Sequence, residues 1–486
     1  MTQDQHSPVA AVRGMRDASL GRAGQQVLQF AFTIALVRLL DPGDFGIVAL
    51  CSVITGFITL LGDLGTSAAI VQRKELNPRL LSSVWVLNVG VGVGAAALLI
   101  VGSGPLAAAL GNPHAAPVIR GLALVFPIRS LALVHGALLQ RDLRFNTVAR
   151  SEVYGTLAGG LSAVGVALLG WGPWSLVVQQ MVATTVSGAV MAVGARWLPR
   201  ARPSRAELRG IASFTANLSA YNTVYYAARN ADNLLIGRFL GTGALGVYDI
   251  GYRTILYPLR NVTNVVSTVA YPVLSRRQDD DPGLLRGYLR IVRSIALVTF
   301  PMLAIMAFLS PEFVGVVYGP KWADLVPVLA VLAPVGALQS VTSTVIILYQ
   351  SKARTDLLLR VGLVESAVIV GGFVVGLRWG VLGVAVSYLV TNLLLLYPVV
   401  RIPMGLVHAR ASDFFAATWK PAVLAAIAGV CAYAAGLWPP LHSASLVVQL
   451  IVLSAVGAGV YAALGLAFLR DDVDWLAARI REALGR

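Results

Sequence analysis

The chain has 486 residues, of which 57% are hydrophobic and only 13% are charged, and its mean hydropathy is +0.75. Soluble domains carry roughly 25% charged residues, so a chain of this composition could not cover its surface in water, and we predict a membrane protein. The formal net charge is +15. Because the basic residues fall between apolar runs rather than in one block, we expect no nucleic-acid partner.

The polar N-terminal segment, residues 1–18, lacks the apolar core of a secretory signal peptide, so we expect the first span to direct insertion. A membrane-spanning helix needs about 20 mostly apolar residues. The predicted spans are 19–39, 45–67, 83–104, 115–138, 152–170, 174–195, 212–236, 244–272, 290–310, 325–349, 357–376, 380–400, 416–437 and 445–469. This pattern predicts an all-α polytopic membrane protein with about 14 transmembrane helices.

The distribution of Lys and Arg predicts the orientation of the chain. The N-terminus, the even-numbered loops and the C-terminus, counted with their adjoining helix ends, hold 29 of the 38 basic residues. The odd-numbered loops hold only 4, and 5 lie within spans. Since short cytoplasmic loops carry the excess of Lys and Arg, we expect both termini on the cytoplasmic side of a bacterial inner membrane.

Weak internal repeats divide the chain into two halves. One motif, Arg38-Leu-Leu with Gly43 and Gly46, recurs 200 residues later as Arg238-Phe-Leu with Gly243 and Gly246. A second, Trp171-Gly172, recurs 208 residues later as Trp379-Gly380. Transporters are often built from such repeats. We therefore predict two pseudo-symmetric six-helix lobes around a central cavity, 19–200 and 201–409, followed by two helices in 410–470 and a cytoplasmic tail, 471–486.

A set of short motifs, in order along residues 15 to 400, resembles a known family. These are Arg38-Leu-Leu-Asp-Pro-Gly-Asp-Phe-Gly46, Asp63-Leu-Gly-Thr-Ser-Ala-Ala-Ile-Val-Gln-Arg-Lys74, Leu139-Gln-Arg-Asp-Leu-Arg-Phe145, Trp171-Gly-Pro-Trp-Ser-Leu-Val177, Asn230-Ala-Asp-Asn-Leu-Leu-Ile-Gly-Arg238, Leu245-Gly-Val-Tyr248, Tyr271-Pro-Val-Leu-Ser275 and Gly319-Pro-Lys-Trp322. Together they resemble the bacterial polysaccharide transporter family, the Wzx-type flippases like the colanic-acid exporter, within the multidrug/oligosaccharidyl-lipid/polysaccharide exporter superfamily.

The resemblance implies a two-lobed transporter whose cavity opens alternately to either face. It also implies the substrate, a glycan on an undecaprenyl diphosphate carrier, which would be flipped to the outer leaflet for surface polysaccharide biosynthesis. Membrane lipids are expected contacts, and a polysaccharide polymerase and other assembly proteins are candidate partners. Ion coupling and downhill flipping both stay open as the driving force.

Ionisable residues within spans are costly and tend to face a cavity or a partner. In the eighth span, a polar stripe with spacings of 4, 4, 3 and 4 residues falls within an arc of about 80°; its members are Asp249, Arg253, Tyr257, Arg260 and Asn264. The seventh span carries a second stripe that includes Tyr221, Tyr225, Arg229 and Asp232. Two interpretations compete for both stripes.

In the first interpretation, the stripes line a cationic cavity, where Arg253 and Arg260 bind a pyrophosphate or acidic sugar through forked hydrogen bonds, and the tyrosines stack on sugar rings. In the second, Asp249 with Arg253, and Arg229 with Asp232, are structural ion pairs. We favour the cavity for Arg253 and Arg260, and the structural pair for Arg229 with Asp232.

The fourth and eleventh spans hold further ionisable candidates. Arg120 and Arg129 are nine residues apart and lie on nearly opposite helix faces, so they share a cavity only if Pro127 kinks the helix. Glu365 is either a protonation site for ion coupling, a hydrogen-bond partner of a neighbouring helix, or a residue near the cytoplasmic interface.

The sequence gives little support to catalysis, so we expect no catalytic residues and no enzyme activity. Cys51 and Cys431 lie far apart in apolar runs, and no two of the five histidines have metal-ligand spacing, so neither a metal nor another cofactor is expected. Three alternative functions stay open: a MATE-like exporter of small molecules or cations, a peptidoglycan lipid-precursor flippase, and a membrane glycosyltransferase. An exporter of small cations would prefer an acidic cavity. For a glycosyltransferase, the acidic run Asp279 to Asp281 is the only candidate catalytic motif in the sequence.

Overall fold

The computed structural model describes residues 8–63, 66–73, 76–204, 226, 230–257, 280–472 and 474–475. In these ranges the regular elements are helices, and eight of the helices are long and apolar enough to cross a membrane. The predicted fold class, an all-α polytopic membrane protein, is confirmed. The chain divides into two compact units, Met1–Gly246 and Val247–Arg486, and the assignment of lobes to 19–200 and 201–409 stays a prediction.

The first unit is a bundle of long helices joined by short turns. Its helices are α1 (Pro8–Leu39), α2 (Pro42–Asp63), α3 (Thr66–Gln72), α4 (Pro78–Ala109), α5 (Ala115–Ala123), α6 (Val125–Arg141), α7 (Phe145–Leu168), α8 (Trp174–Ala195) and α9 (Ala231–Phe239). Helix α7 packs along α1 and α8, α6 packs against α4 and α8, and α9 lies on α2. Helix α10, described over 241–257, begins in this unit and continues into the second.

The second unit repeats the pattern and adds the last two long helices. Its further helices are α11 (Asp281–Phe308), α12 (Ser310–Val317), α13 (Leu325–Thr342), α14 (Ile346–Ser351), α15 (Thr355–Gly376), α16 (Gly380–Gly405), α17 (Ala411–Gly436), α18 (Pro439–His442) and α19 (Leu446–Phe468). Helix α11 packs against α13 and α17, and α15 packs along α16. Buried apolar side chains around Tyr288, Met404 and Phe414 form the core between α11, α16 and α17.

Each unit has a Gly-x-x-x-Gly pair at a close helix contact, Gly155 with Gly159 in α7 and Gly372 with Gly376 in α15. A Cβ on Gly159 of α7 would lie 2.6 Å from the backbone oxygen of Gln179 in α8, and one on Gly376 of α15 would lie 2.6 Å from that of Gly383 in α16. A real Cβ does not approach a backbone oxygen this closely, so only glycine permits these contacts. Small residues have the same role in other membrane helix pairs.

The backbone carries the internal repeat more clearly than the side chains do. Residues with positive φ recur in matched pairs: Gly111 with Gly319, Gly172 with Gly380, Leu143 with Ala353, and Arg196 with His408. The sequence offsets are 208, 208, 210 and 212 residues. Each pair lies in a turn that ends or begins a long helix, so both halves turn the chain in the same way at the same places.

A break separates α5 from α6 within the predicted fourth span. Helix α5 ends at Ala123, and the Leu124 N–H donates to Gly121 O at 3.2 Å, an i→i−3 bond. Pro127 has no N–H to donate to the carbonyl of residue 123, and its ring clashes with that carbonyl. The kink that the sequence permitted at Pro127 is therefore present, one turn before the proline.

Candidate functional site

Helix α10 presents two different faces. Its packed face lies on α13, where a Cβ on Gly251 would approach a Leu325 methyl group to 2.9 Å. On the same side, Ile255 is fully buried, and the Thr254 hydroxyl bonds to the Tyr318 hydroxyl at 2.7 Å. Successive residues turn by about 100° around a helix, so Asp249, Arg253 and Tyr257 fall on the opposite face, as the predicted stripe requires.

Arg253 is held by an ion pair, yet most of its side chain is exposed. Its Nε lies 2.8 Å from Asp249 Oδ2; the Arg253 side chain is 59% exposed, whereas the Asp249 side chain is 10% exposed. Within the described part of the chain, the two terminal guanidinium nitrogens have no hydrogen-bond partner. The ion pair of the second interpretation is therefore present, and the Arg253 side chain is also exposed; a substrate role for Arg253 stays a prediction.

An aromatic cluster that the sequence did not predict lies beside this arginine in the second unit. The Tyr248 and Tyr252 rings of α10 are 6.1 Å apart and parallel, and Tyr252 lies 6.2 Å from Tyr388 of α16. Tyr388 contacts Phe373 at 5.0 Å and accepts a hydrogen bond from Gln339 Nε2 at 2.6 Å. Tyr252 immediately precedes Arg253 and is rotated from it by about 100° around the helix. It therefore falls outside the polar stripe. The residues of α13 and α16 come from far along the chain, and only the fold joins them.

In the first unit, Arg120 and Arg129 lie on either side of the break between α5 and α6, and both residues are exposed. Arg120 Nε donates to the buried Ser103 hydroxyl of α4 at 2.8 Å. This bond anchors one arginine to a neighbouring helix. A substrate role for either residue stays a prediction.

The remaining candidates divide between described and undescribed residues. Asp232 is buried and accepts from the Asn233 N–H at 2.8 Å, and Glu365 is half-buried on α15. The other predicted residues lie outside the described ranges: Tyr221, Tyr225, Arg229, Arg260 and Asn264. Among the residues that the structure describes, no group of three or more His, Cys, Asp or Glu side chains could hold a metal ion.

Comparison with known proteins identifies the family. The profile of a family described as "Polysaccharide biosynthesis protein" matches residues 35–327, more than half of the chain. The chain belongs to this family. The resemblance inferred from the ordered motifs is therefore confirmed.

Similar proteins of the family come from several bacteria. Lipopolysaccharide biosynthesis protein WzxC of Escherichia coli is 28% identical over 83% of this chain and 82% of its own length. Teichuronic acid biosynthesis protein TuaB of Bacillus subtilis is 28% identical over 90% of each chain. Succinoglycan biosynthesis transport protein ExoT of Rhizobium meliloti is 27% identical over 65% of this chain and 64% of its own length.

Solved structures share the fold at low sequence identity. The lipid II flippase MurJ in an inward closed conformation has a TM-score of 0.72 and 13% identity, covering 94% of this chain and 99% of MurJ. An inward-facing MATE family multidrug transporter has a TM-score of 0.60 and 16% identity, covering 82% of this chain and 95% of the transporter. The chain thus shares its fold with these two proteins.

Proposed function

We propose that this family member is a flippase that moves a lipid-linked oligosaccharide from the cytoplasmic to the outer leaflet of the bacterial inner membrane. Its relatives are named for the biosynthesis of lipopolysaccharide, teichuronic acid and succinoglycan, and one is named a transport protein. The glycan is carried on a diphosphate-linked prenyl lipid, and the protein supplies a path for the polar headgroup by alternating access. It acts as a transporter and not as an enzyme.

The open guanidinium of Arg253 is the observation that carries this proposal. An arginine near the centre of a span costs roughly 2.5–3.5 kcal/mol on insertion scales, so an unsatisfied one needs a function. Its ion pair with Asp249 uses Nε and leaves the terminal fork for an anion. A guanidinium fork matches the oxygens of a phosphate group, which favours a diphosphate or an acidic sugar as the bound group.

The aromatic cluster gives the same region a second kind of ligand surface. Tyr252 is half-buried beside Arg253, and aromatic faces with adjacent hydroxyl and amide groups suit sugar rings. We include Tyr252, Tyr388 and Gln339 in the proposed glycan contacts, together with the predicted Tyr257, Arg260, Asn264, Tyr221 and Tyr225.

The proposed topology places both termini in the cytoplasm, following the Lys and Arg bias. Under it, the turns at Leu143 and Ala353 are cytoplasmic, and those at Trp171 and Trp379 are outside. A polysaccharide polymerase and other assembly proteins are the proposed partners.

The MATE-like fold makes export of small cations the main rival. That function needs anionic groups to receive the cargo. In α10 the carboxylate of Asp249 is buried and already paired, whereas the guanidinium of Arg253 is open. The charge that this face offers is positive, which favours an anionic cargo.

A leaflet assay after depletion of the protein tests the proposal. Lipid-linked glycans in spheroplasts are probed with an impermeant sugar-modifying reagent, and the depleted strain is complemented with wild type, Arg253→Lys or Arg253→Gln. We expect a diphosphate-linked glycan to accumulate unmodified after depletion, and wild type to restore its modification. Arg253→Gln should not restore it.

Two other outcomes would contradict the proposal. Normal modification of the glycan after depletion, together with reduced efflux of small molecules, would replace the flippase by an exporter. Full restoration by Arg253→Gln would leave the flippase in place and remove Arg253 from the site.

A further inference from the structure

Helix α2 and the start of α10 cross at two glycines in the first unit, and the crossing is reciprocal. A Cβ on Gly46 would lie 1.7 Å from the backbone oxygen of Thr242, and one on Gly246 would lie 1.8 Å from that of Pro42. Gly46 and Gly246 are equivalent in the internal repeat, and so are Pro42 and Thr242, each pair 200 residues apart. Each copy of the motif therefore contacts the other copy in the same way.

The crossing is the end of a longer seam along α2. A Cβ on Gly237 of α9 would lie 2.5 Å from a Leu50 methyl group, and one on Gly56 of α2 would lie 1.8 Å from the Tyr226 hydroxyl oxygen. The Tyr226 hydroxyl also donates to the Ser52 carbonyl at 3.2 Å. One face of α2 is thus contacted, from its first turn to beyond its middle, by Tyr226, Gly237 and Thr242.

The seam distinguishes between neighbouring glycines. Gly43 and Gly46 are one turn apart, yet a Cβ on Gly43 would come no closer than 4.0 Å, to Thr242 Oγ1. A Cβ on Gly243 would have no neighbour within 4 Å, although one on Gly246 could not be accommodated. Backbone atoms block both forbidden positions, so a rotamer change cannot relieve the clash. Only separation of the two helices can.

We propose that this reciprocal glycine crossing is a closing contact of the transport cycle, on the extracytoplasmic side of the membrane. The inference rests on the proposed function and topology, which place the loops around residues 40 and 240 outside. Glycine at both positions lets backbone approach backbone, which leaves no room between the two helices for even a Cβ. Gly46 and Gly246 meet the opposite helix at backbone atoms, and Cα–H···O approaches between such backbones are weak, so the contact at the two glycines can break at low cost.

A reversible cross-link tests this without adding bulk at the crossing. The pair Gly43→Cys and Thr242→Cys is introduced with Cys51→Ser and Cys431→Ser. A Cβ on Gly43 would lie 4.0 Å from Thr242 Oγ1, so the two side chains are near enough for a cross-link to be tested. We expect copper-phenanthroline to form the disulfide rapidly and to stop glycan transfer, and a reductant to restore transfer. Adding Gly46→Ala or Gly246→Ala should slow disulfide formation about tenfold, because the helices cannot close over a Cβ. The matched control Gly243→Ala should leave the rate unchanged.

The outcomes separate this inference from the proposed function. Unimpaired glycan transfer by the oxidised pair would show that the crossing does not open, and would overturn the inference. The inference would also be overturned if the disulfide formed at the same rate in the cysteine pair alone and in the pair with Gly46→Ala or Gly246→Ala added. The cross-linking rates need no substrate. If no variant transfers a glycan even when reduced, the proposed function fails. The rates of disulfide formation would still show whether the two helices close at the glycine crossing.

Discussion

Arg253 combines two requirements that usually conflict inside a membrane. A buried, well-paired arginine is stable but has nothing left to bind with, and an unpaired one is costly. In α10, one carboxylate oxygen of the buried Asp249 accepts a hydrogen bond from Arg253 Nε at 2.8 Å, and the rest of the guanidinium stays exposed. The ion pair fixes the direction of the fork, so an anion would meet a group that is already oriented.

The chemistry of the fork predicts different results for two substitutions at Arg253. Lysine keeps the charge but loses the planar pair of donors, and glutamine loses the charge. A hydrogen bond to a charged group contributes about 1.5–3 kcal/mol, so we expect glycan transfer to fall roughly tenfold to a hundredfold in Arg253→Gln and less in Arg253→Lys. Initial transfer rates in proteoliposomes measure this. Equal rates in all three proteins would contradict it.

Asp249 should act through Arg253 and not on its own. Asp249→Asn removes the charge that orients the guanidinium, so we expect slower transfer than in wild type. In the double variant with Arg253→Gln, we expect the rate of Arg253→Gln alone, because the interaction that Asp249 makes is already lost. Residues in direct contact show coupling energies of about 0.5–3 kcal/mol in such cycles. Additive losses would assign Asp249 a separate role.

At the scale of helices, the sequence predicted more of the fold than of the site. Length and hydropathy locate long helices because a membrane admits few other structures, and Pro127 marks a real break. The site is harder to predict, since Tyr252 meets Tyr388 only through the packing of α10 and α16. The spacing of polar and apolar residues along a helix shows which residues share a face. It does not show which distant helix packs on that face.

The helix pairs α7–α8 and α15–α16 should be sensitive to one added methyl group. At Gly159 and Gly376 a Cβ would meet backbone oxygens, and overpacking costs typically about 1–3 kcal/mol. We therefore expect Gly159→Ala and Gly376→Ala to lower the thermal unfolding midpoint of the purified protein in detergent.

Each of these helices provides its own control. A Cβ at Gly165 of α7 or Gly371 of α15 would have no neighbour within 4 Å, and alanine is the better helix former by about 1 kcal/mol. Gly165→Ala and Gly371→Ala should leave the midpoint unchanged or raise it. A similar fall in all four variants would mean that helix packing is not the cause.

Along the whole chain, the two halves of the repeat share turns but hold them with different side-chain contacts. The turns after α6 and after α14 both place a residue with positive φ, Leu143 and Ala353. In the first unit the adjoining Arg144 donates to the Gly194 carbonyl at 2.7 Å. In the second unit Lys352 pairs with Asp281 at 2.5 Å. The common backbone therefore predicts a common membrane side for each matched pair, whatever side chains the two halves use.

Matched turns give a test of topology that each half repeats independently. Leu143 and Ala353 are exposed in the turns that we place in the cytoplasm, and Trp171 and Trp379 are 59% and 68% exposed in the turns that we place outside. In a background with Cys51→Ser and Cys431→Ser, single cysteines are introduced at the four positions. An impermeant maleimide should label Trp171→Cys and Trp379→Cys in intact spheroplasts, and Leu143→Cys and Ala353→Cys only after permeabilisation.

If the members of one pair were labelled from opposite sides, the two halves would have opposite orientations in the membrane. The Lys and Arg bias along the chain would then not predict the topology. If all four sides were reversed together, the repeat would stand, but the proposed direction of the termini and the extracytoplasmic position of the glycine crossing would both be wrong.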